Sequence, residues 1–439
     1  MPFDDLADAL AWLDGHVNFE ATMPSRRSLP TLDRMREVMS LLGDPHRAAP
    51  VVHLTGTNGK GSTAAMVTSL LAARGLSVGT YTSPNLHRVN ERIARHGVPI
   101  DDDALLDVLE TLARLEPLLS EPLTRFELLT AAAFLHFADE AVDVAVVEVG
   151  VGGRWDSTNV ADGDVAVITN VSYDHTDVLG PTLEDIASDK SGIVKARSRV
   201  VVGETAPALV SLVRDAARSA GAAQLWARGD DFATTANRVA VGGRLVDVRT
   251  PGGAYGEVLV PLHGSHQGDN ASCALTAVEA FFGAPLDADV VDEAFAAVRV
   301  PGRLEVVGRH PLVVLDGAHN VAGMTVLARA LVEDVPVLGE TVAVVGMLGG
   351  RDPVAMLDLL LTAGVRAVVV CTPPSPRALA APVVAEAATG LGMDVTVVDA
   401  PADALREALG RVAADGRVVA CGSLYVVAEV RRAVAADAV

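Results

Sequence analysis

The eight residues from Gly56 to Thr63, GTNGKGST, constrain this chain more than any other stretch. They follow an apolar β-branched run (Val51, Val52, Leu54) and precede a helix-forming run from Ala64 to Arg74. That order predicts a strand, a glycine turn and a helix, the opening of a parallel α/β sheet. Glycines let the backbone turn its N–H groups toward one point, the helix dipole adds positive potential there, and Lys60 adds a full charge. Such a concavity fits phosphate, so the chain is expected to use a nucleotide. The spelling departs from the commonest phosphate loop. Only Thr57 and Asn58 separate Gly56 from Gly59, and Gly61 stands between Lys60 and Ser62.

A chain of 439 residues exceeds one ordinary core and predicts two or three domains. Thirty-five basic residues against fifty-six acidic ones leave a formal charge of −21. This argues against nucleic acid or an anionic membrane as a partner. An anionic ligand must then be held by local cations, and Lys60, Arg88, Arg92, Arg154 and Arg303 are the candidates. Cys273, Cys371 and Cys421 match no metal or redox spacing and are expected to be buried thiols in a reducing compartment. The N-terminal MPFDDLADALAWLDGH has no positively charged n-region, and no apolar run reaches membrane-spanning length, so a cytoplasmic protein is expected.

Strands are expected at Val51–Thr55, Ser77–Thr82, Val142–Val149, Val165–Asn170 and Val200–Val202, with helical stretches between them. From Leu225 to Leu262 the segments are short and punctuated by glycine, which predicts a small antiparallel addition. Helices follow at about Asn270–Phe282 and Asp289–Val298, and Pro301 and Gly302 then break the pattern. The alternation resumes with strands at Leu312–Leu315, Val342–Val345, Val365–Val370, Val395–Val398 and Val418–Ala420. The expected fold class is therefore α/β. A P-loop-type parallel-sheet ATPase domain with the antiparallel addition spans 1–298, a linker 299–302, and a smaller Rossmann-like α/β domain 303–439.

Ligands of open parallel sheets bind outside the carboxyl ends of the strands. The polar residues follow that rule. The glycine loop follows the first strand, Ser83 (in TSPNLHRVNERI) the second, Glu148 (in VVEVGVGGRWDSTN) ends the third, and Asp174 and His175 (in ITNVSYDHTDVLG) follow the fourth. A hydroxyl, a carboxylate and an imidazole beside a triphosphate suit a Mg²⁺ shell, the imidazole being its least typical member. Taken singly, Glu148 reads as a carboxylate paired with an arginine and His175 as a strand-end histidine satisfied by backbone.

GTNGKGS, TSPNLHRVNERI, FELLTAAAF, EVGVGGRWDSTN, DHTDVLG, PGRLE, DGAHN and CGS together resemble the folylpolyglutamate synthases and dihydrofolate synthases of the Mur ligase superfamily. The resemblance runs from the N-terminal helix through Val427. It implies an enzyme that joins L-glutamate to a folate or dihydropteroate carboxylate while splitting ATP to ADP and phosphate. Asn58, Gly59, Lys60, Gly61 and Ser62 would then clamp the triphosphate, with Asn270, Arg303 and Asp316 also touching ATP. Ser83, Glu148 and His175 would bind magnesium. The pterin would meet Leu29, Pro30, Arg125, Phe126, Trp155, Asp156 and Ser157. For Phe126 core packing is the competing reading, whereas Trp155 in a Gly-rich loop has little local core to fill.

Lys190, in EDIASDKSGIVK, reads from sequence as a solvated helix lysine. The resemblance instead implies an N-carboxylated lysine, an anionic oxygen donor to a second Mg²⁺ ion, and Lys60, Lys190 and His319 are the expected catalytic set. Two positions depart from the family pattern: Asn85 stands where histidine is usual, and Arg125 where an aromatic is common. The expected partners are small molecules only, and a monomer is expected.

A carboxylate is a poor acylating agent, so the ATP-dependent route is an acyl phosphate attacked by the glutamate amine. His319 or Asp316 would orient that amine or take its proton, with Ser423 as a glutamate contact. The rival readings are a superfamily ligase acting on a cell-wall precursor and a nucleotide-gated ATPase switch.

Overall fold

The computed structural model describes residues 3–22 and 31–437, which form two compact units. The first comprises 1–236, 246–259 and 268–298, and the second comprises 237–245, 260–267 and 299–439.

The first unit is built on an eight-stranded sheet. Its strands are β1 (Val51–Thr55), β2 (Val78–Tyr81), β3 (Ile93–Arg95), β4 (Val98–Pro99), β5 (Val144–Glu148), β6 (Val165–Ile168), β7 (Arg199–Val202) and β8 (Gln224–Ala227), in the order β4-β3-β2-β5-β1-β6-β7-β8. From β2 to β8 all neighbours are parallel, while β3 and β4 add an antiparallel edge. β1 and β5 are buried at every position, which is why apolar residues occupy both faces of each strand (Val51, Val52 and Leu54; Val144 to Val147) rather than alternating.

Helices cover the sheet through apolar stripes. In Asp102–Leu115 the buried positions Leu105, Val108, Leu109 and Leu112 recur at helical spacing, and Asp101 caps the start by accepting from Ala104 N. Each such leucine contributes roughly 1.5–3 kcal/mol by leaving water. They join Tyr81, Val147 and helix Arg125–Asp139 in one core cluster. Residues of β6 and β7 form another with helices Leu183–Lys190 and Pro207–Ala220.

Strands β9 (Ala233–Ala240), β10 (Gly243–Arg249) and β11 (Ala254–Val260) form the separate three-stranded antiparallel sheet expected from the Gly-punctuated stretch. The helices expected next are His266–Phe282 and Ala288–Ala297.

The second unit carries β12 (Glu305–Arg309), β13 (Leu312–Leu315), β14 (Thr341–Val345), β15 (Ala367–Val370), β16 (Asp394–Val397) and β17 (Arg417–Cys421), in the order β12-β13-β17-β14-β15-β16. Only β12 pairs antiparallel, and the rest form a parallel sheet around their own core.

Several strands are shorter than their apolar runs. Val142 N and Val365 N hydrogen-bond to Phe137 O and Leu360 O, closing the preceding helices instead of joining the ladder. The β3–β4 hairpin within ERIARHGVPI was not expected. Its turn residues, His96 and Gly97, take φ of 51° and 76°, the left-handed pair a tight hairpin needs. All three cysteines are free and buried. Among the described residues no helix is long and apolar enough to cross a membrane.

Candidate active site

β2, β5, β1 and β6 are consecutive in the sheet, so the segments that follow them share its carboxyl edge. Gly56 to Gly59 leave β1, and helix Lys60–Ala73 begins at once. Gly59 caps that helix with φ 82° and no side-chain hydrogen bond, leaving first-turn N–H groups for an anion. Asn170 Oδ1 accepts from Asn58 N at 3.0 Å, and Thr169 Oγ1 donates to Asn58 O at 2.7 Å, so the end of β6 pins the loop. A Cβ on Gly59 would lie 2.5 Å from Asn270 Oδ1, which puts the buried Asn270 against the loop.

Gly56 has φ 154°, and a Cβ there would lie 1.8 Å from Thr169 Oγ1. Gly56→Ala is therefore expected to cost about 1–3 kcal/mol and to remove nucleotide binding. Thermal unfolding and ADP titration check this, and a variant that melts and binds like wild type would refute it.

Lys60 is the first residue of the helix and half-buried. Its Nζ donates to Gly56 O at 3.1 Å and Thr57 O at 3.4 Å, so the charge is held over the loop. Glu148 meets the same helix start: a Cβ on Gly61 would be 3.6 Å from its carboxylate, which also accepts from Ser83 N at 3.2 Å. Ser83, Glu148 and the glycine loop are thus brought together. His175, itself left-handed at φ 51°, has Nε2 at 3.7 Å from Asp174 Oδ1.

Lys190 is not the solvated helix lysine its sequence suggests. It ends helix Leu183–Lys190 at 3% exposure. Burial pushes its ammonium down to about 7, aided by the Lys60 charge and opposed by Asp174, Asp189 and Asp156. Among the described residues no three His, Cys, Asp or Glu side chains gather as a ready metal cage. A cation held by Ser83, Glu148 and His175 would therefore draw further oxygens from phosphate or from a modified Lys190. That donor set fits Mg²⁺, which favours phosphate oxygens with one or two protein carboxylates.

The loop after β5 forms another wall. Asp156 is buried, and its oxygens accept from Gly150 N and Val151 N (both 3.1 Å) and Thr158 N (3.0 Å), closing the loop on itself. Ser157 is buried, with Oγ 3.3 Å from Thr130 Oγ1. Phe126 packs partly on the core beside Tyr81, and a Cβ on Gly150 would meet its ring at 2.7 Å. Trp155 does have a core to fill: it packs on the cluster formed by β6 and β7, with a buried Nε1 that has no hydrogen-bond partner among the described residues. Leu29 and Pro30 lie outside the described residues.

Two of the proposed anion-binding arginines are occupied. Arg88 pairs with Asp102 at 2.5 Å, and the buried Arg92 clasps Glu20 through two bonds of 2.9 and 2.7 Å. Arg154 is exposed and donates to Ser188 O at 3.3 Å. Arg92 also donates to Asn85 Oδ1 at 2.7 Å, while Arg125 pairs with Asp14 at 2.8 Å and lies 3.6 Å from Glu20. The two departures from the family pattern, Asn85 and Arg125, thus meet in one ion-pair network.

In the second unit Asp316 follows β13. Its buried carboxylate accepts from Leu304 N at 2.9 Å and Ala318 N at 2.8 Å. Burial raises its pKa, and Arg303 is the first of the groups that oppose the rise. His319 Nδ1 donates to Gly317 O at 2.8 Å, so a neutral ring carries its lone pair on Nε2. Gly422 N reaches Ala318 O at 2.9 Å, which joins DGAHN to CGS. Ser423 is buried and accepts from Val426 N at 3.2 Å, capping helix Leu424–Asp437.

Thr169 and Asn170, which hold the loop, were not singled out from the sequence. Their signal is polarity directly after an apolar strand.

The Mur ligase middle domain family matches residues 54–278, and the Mur ligase glutamate ligase domain family matches 302–424. Fold and site together define an ATP-dependent ligase of the Mur class. The dihydrofolate synthase/folylpolyglutamate synthase of Mycobacterium tuberculosis is 41% identical over 381 residues, covering 81% of this chain and 77% of that one. The chain belongs to the folylpolyglutamate synthase/dihydrofolate synthase family and is an ATP-dependent glutamate ligase of that type. A structure of the Mycobacterium tuberculosis folylpolyglutamate synthase with ADP superposes with a TM-score of 0.91 at 37% identity, covering 98% of each chain. Escherichia coli FolC in complex with DHPP and ADP gives 0.85 at 30% identity, covering all of both chains. A bifunctional relative with Mn, AMPPNP and L-glutamate bound also gives 0.85 at 30% identity, covering 99% of each.

Proposed function

We propose that this chain joins L-glutamate to the carboxylate of dihydropteroate or a reduced folate through an acyl phosphate. The observation that carries the reading is the convergence, within one unit, of an uncapped helix N-terminus, the Ser83–Glu148 contact and a buried lysine with a lowered pKa. Asn58 to Ser62 align the triphosphate, with Lys60 neutralising charge on its oxygens. Ser83, Glu148 and His175 hold Mg²⁺, and Lys190, carboxylated on Nζ, holds a second ion. Bound metal supplies charge neutralisation and orientation of the phosphates. A lysine whose pKa is lowered to about 7 holds an appreciable share of the free amine that carbamate formation requires at neutral pH.

The loop from Gly150 to Ser157, with Phe126, receives the pterin. Its edge is apolar and aromatic, and Asp156 fixes its curvature. Residues 1–298, apart from 237–245 and 260–267, which belong to the second unit, are the nucleotide and folate domain and 303–439 the glutamate-ligase domain, joined at 299–302. Asn270 contributes a further ATP contact, and within the second unit Arg303 offers a guanidinium suited to a phosphate oxygen, while Asp316 and His319 offer polar groups suited to an amine. The relatives bound to DHPP, to ADP, and to Mn with AMPPNP and L-glutamate support these ligand classes.

ADP release measured against pteroates, reduced folates and cell-wall precursors, each with and without L-glutamate, tests the reading. Release is expected only when glutamate and a pterin carboxylate are both present. Equal ATPase activity without them would make the chain a nucleotide switch, and turnover with a cell-wall precursor instead would make it a different Mur ligase.

A further inference from the structure

Two β1 residues without a role above point at the loop after β5. Positions 53 and 55 share one face of the strand because side chains alternate. Thr55 Oγ1 donates to Gly152 O at 2.5 Å, and His53 Nε2 lies 2.9 Å from Thr158 Oγ1. His53 and Thr158 are fully buried, and Asp156 is 3% exposed.

The protons along this chain can be counted. Burial raises the Asp156 pKa, opposed first by the Thr158 hydroxyl and then by three backbone N–H groups; with N–H donors aimed at both of its oxygens, Asp156 meets its neighbours as an acceptor. The proton in the 2.5 Å contact between Thr158 Oγ1 and Asp156 Oδ1 therefore belongs to threonine. A hydroxyl has one proton, so Thr158 can only accept from His53, and Nε2 must carry the hydrogen. Nδ1 is then the bare nitrogen. It is the ring atom buried without a hydrogen-bond partner among the described residues, where a lone pair is tolerated better than an N–H. Burial, reinforced by Lys195, pushes the imidazolium form down to about 3, so the ring is neutral.

We propose that His53 is a positioning residue: as a neutral Nε2–H imidazole it donates to Thr158, which fixes the Asp156 carboxylate and, through it, the Gly150–Ser157 loop against which the pterin sits. The role deepens the proposed function and rests on that loop being the pterin wall.

His53→Leu removes the donor at similar bulk, whereas His53→Gln keeps an N–H at about the same reach. His53→Leu is expected to raise KM for the pterin carboxylate about tenfold while KM for ATP stays within about twofold. His53→Gln should return the pterin KM to within about threefold of wild type. ¹⁵N NMR of the wild type should show a neutral Nε2–H ring from about pH 8 to about pH 5, where an ordinary histidine protonates.

An Nδ1–H tautomer, an imidazolium in that range, or a wild-type pterin KM in His53→Leu overturns the proposal. Should His53→Leu not fold, a His53→Gln enzyme with a tenfold raised pterin KM would overturn it instead. A wild type without pterin-dependent turnover overturns the functional reading and this role with it. An active wild type with an unaffected His53→Leu overturns the His53 role alone.

Discussion

Lys60→Ala is expected to lose at least about a hundredfold in kcat/KM, the scale found when a preorganised group stabilising transition-state charge is removed. The charge has no substitute within the loop. Thr57, Asn58, Gly59, Gly61 and Ser62 are neutral, and Lys60 Nζ is the group that hangs over the loop carbonyls. The chain carries −21, so no general positive field compensates. The fold should survive, because alanine suits the first turn of a helix and Lys60 is half-exposed. Steady-state ADP release with circular dichroism of the same sample checks both halves. Near-normal turnover by a folded Lys60→Ala protein would mean that the triphosphate is held elsewhere.

Lys190→Ala should likewise lose about a hundredfold, with part of the activity restored by acetate or another short carboxylate placed in the vacated volume. The restoration separates a lost anionic ligand from simple cavity damage, which no carboxylate repairs. Wild-type protein given ¹³C-bicarbonate should show a carbamate carbon signal that the variant lacks. The sign of its pH dependence follows from the lowered pKa. Below about 7 the amine is protonated and cannot take up CO₂, and above it the neutral amine prevails, so the signal should grow as pH rises through that value. A fully active Lys190→Ala enzyme, or an active wild type with no carbamate signal at mildly alkaline pH, would leave Lys190 as an unmodified buried amine.

The first-unit sheet was legible because its signal is local. A parallel strand buried on both faces must be apolar along its length, and the residue types after each strand announce a loop that carries chemistry. GTNGKGST, Ser83, Glu148 and Asp174–His175 were all found in this way, and the strand order places their loops along one edge. The β3–β4 hairpin escaped because its strands are three and two residues long, too short for any periodicity. Arg88 and Arg92 read as available cations in the sequence because their partners, Asp102 and Glu20, are 14 and 72 residues away.

The α/β class, the position of the phosphate loop, the antiparallel insertion and the family follow from the order of residues alone, since each rests on neighbours whose chemistry is read in sequence. Which charges are desolvated emerges only on folding. Lys190 reads as a surface lysine until Lys60 and Asp174 are folded around it. His53 reads as one polar residue in an apolar strand until Thr158, 105 residues away, supplies its acceptor. A pKa and a tautomer depend on the dielectric and on partners within a few ångströms, and those are set by packing rather than by adjacency along the chain.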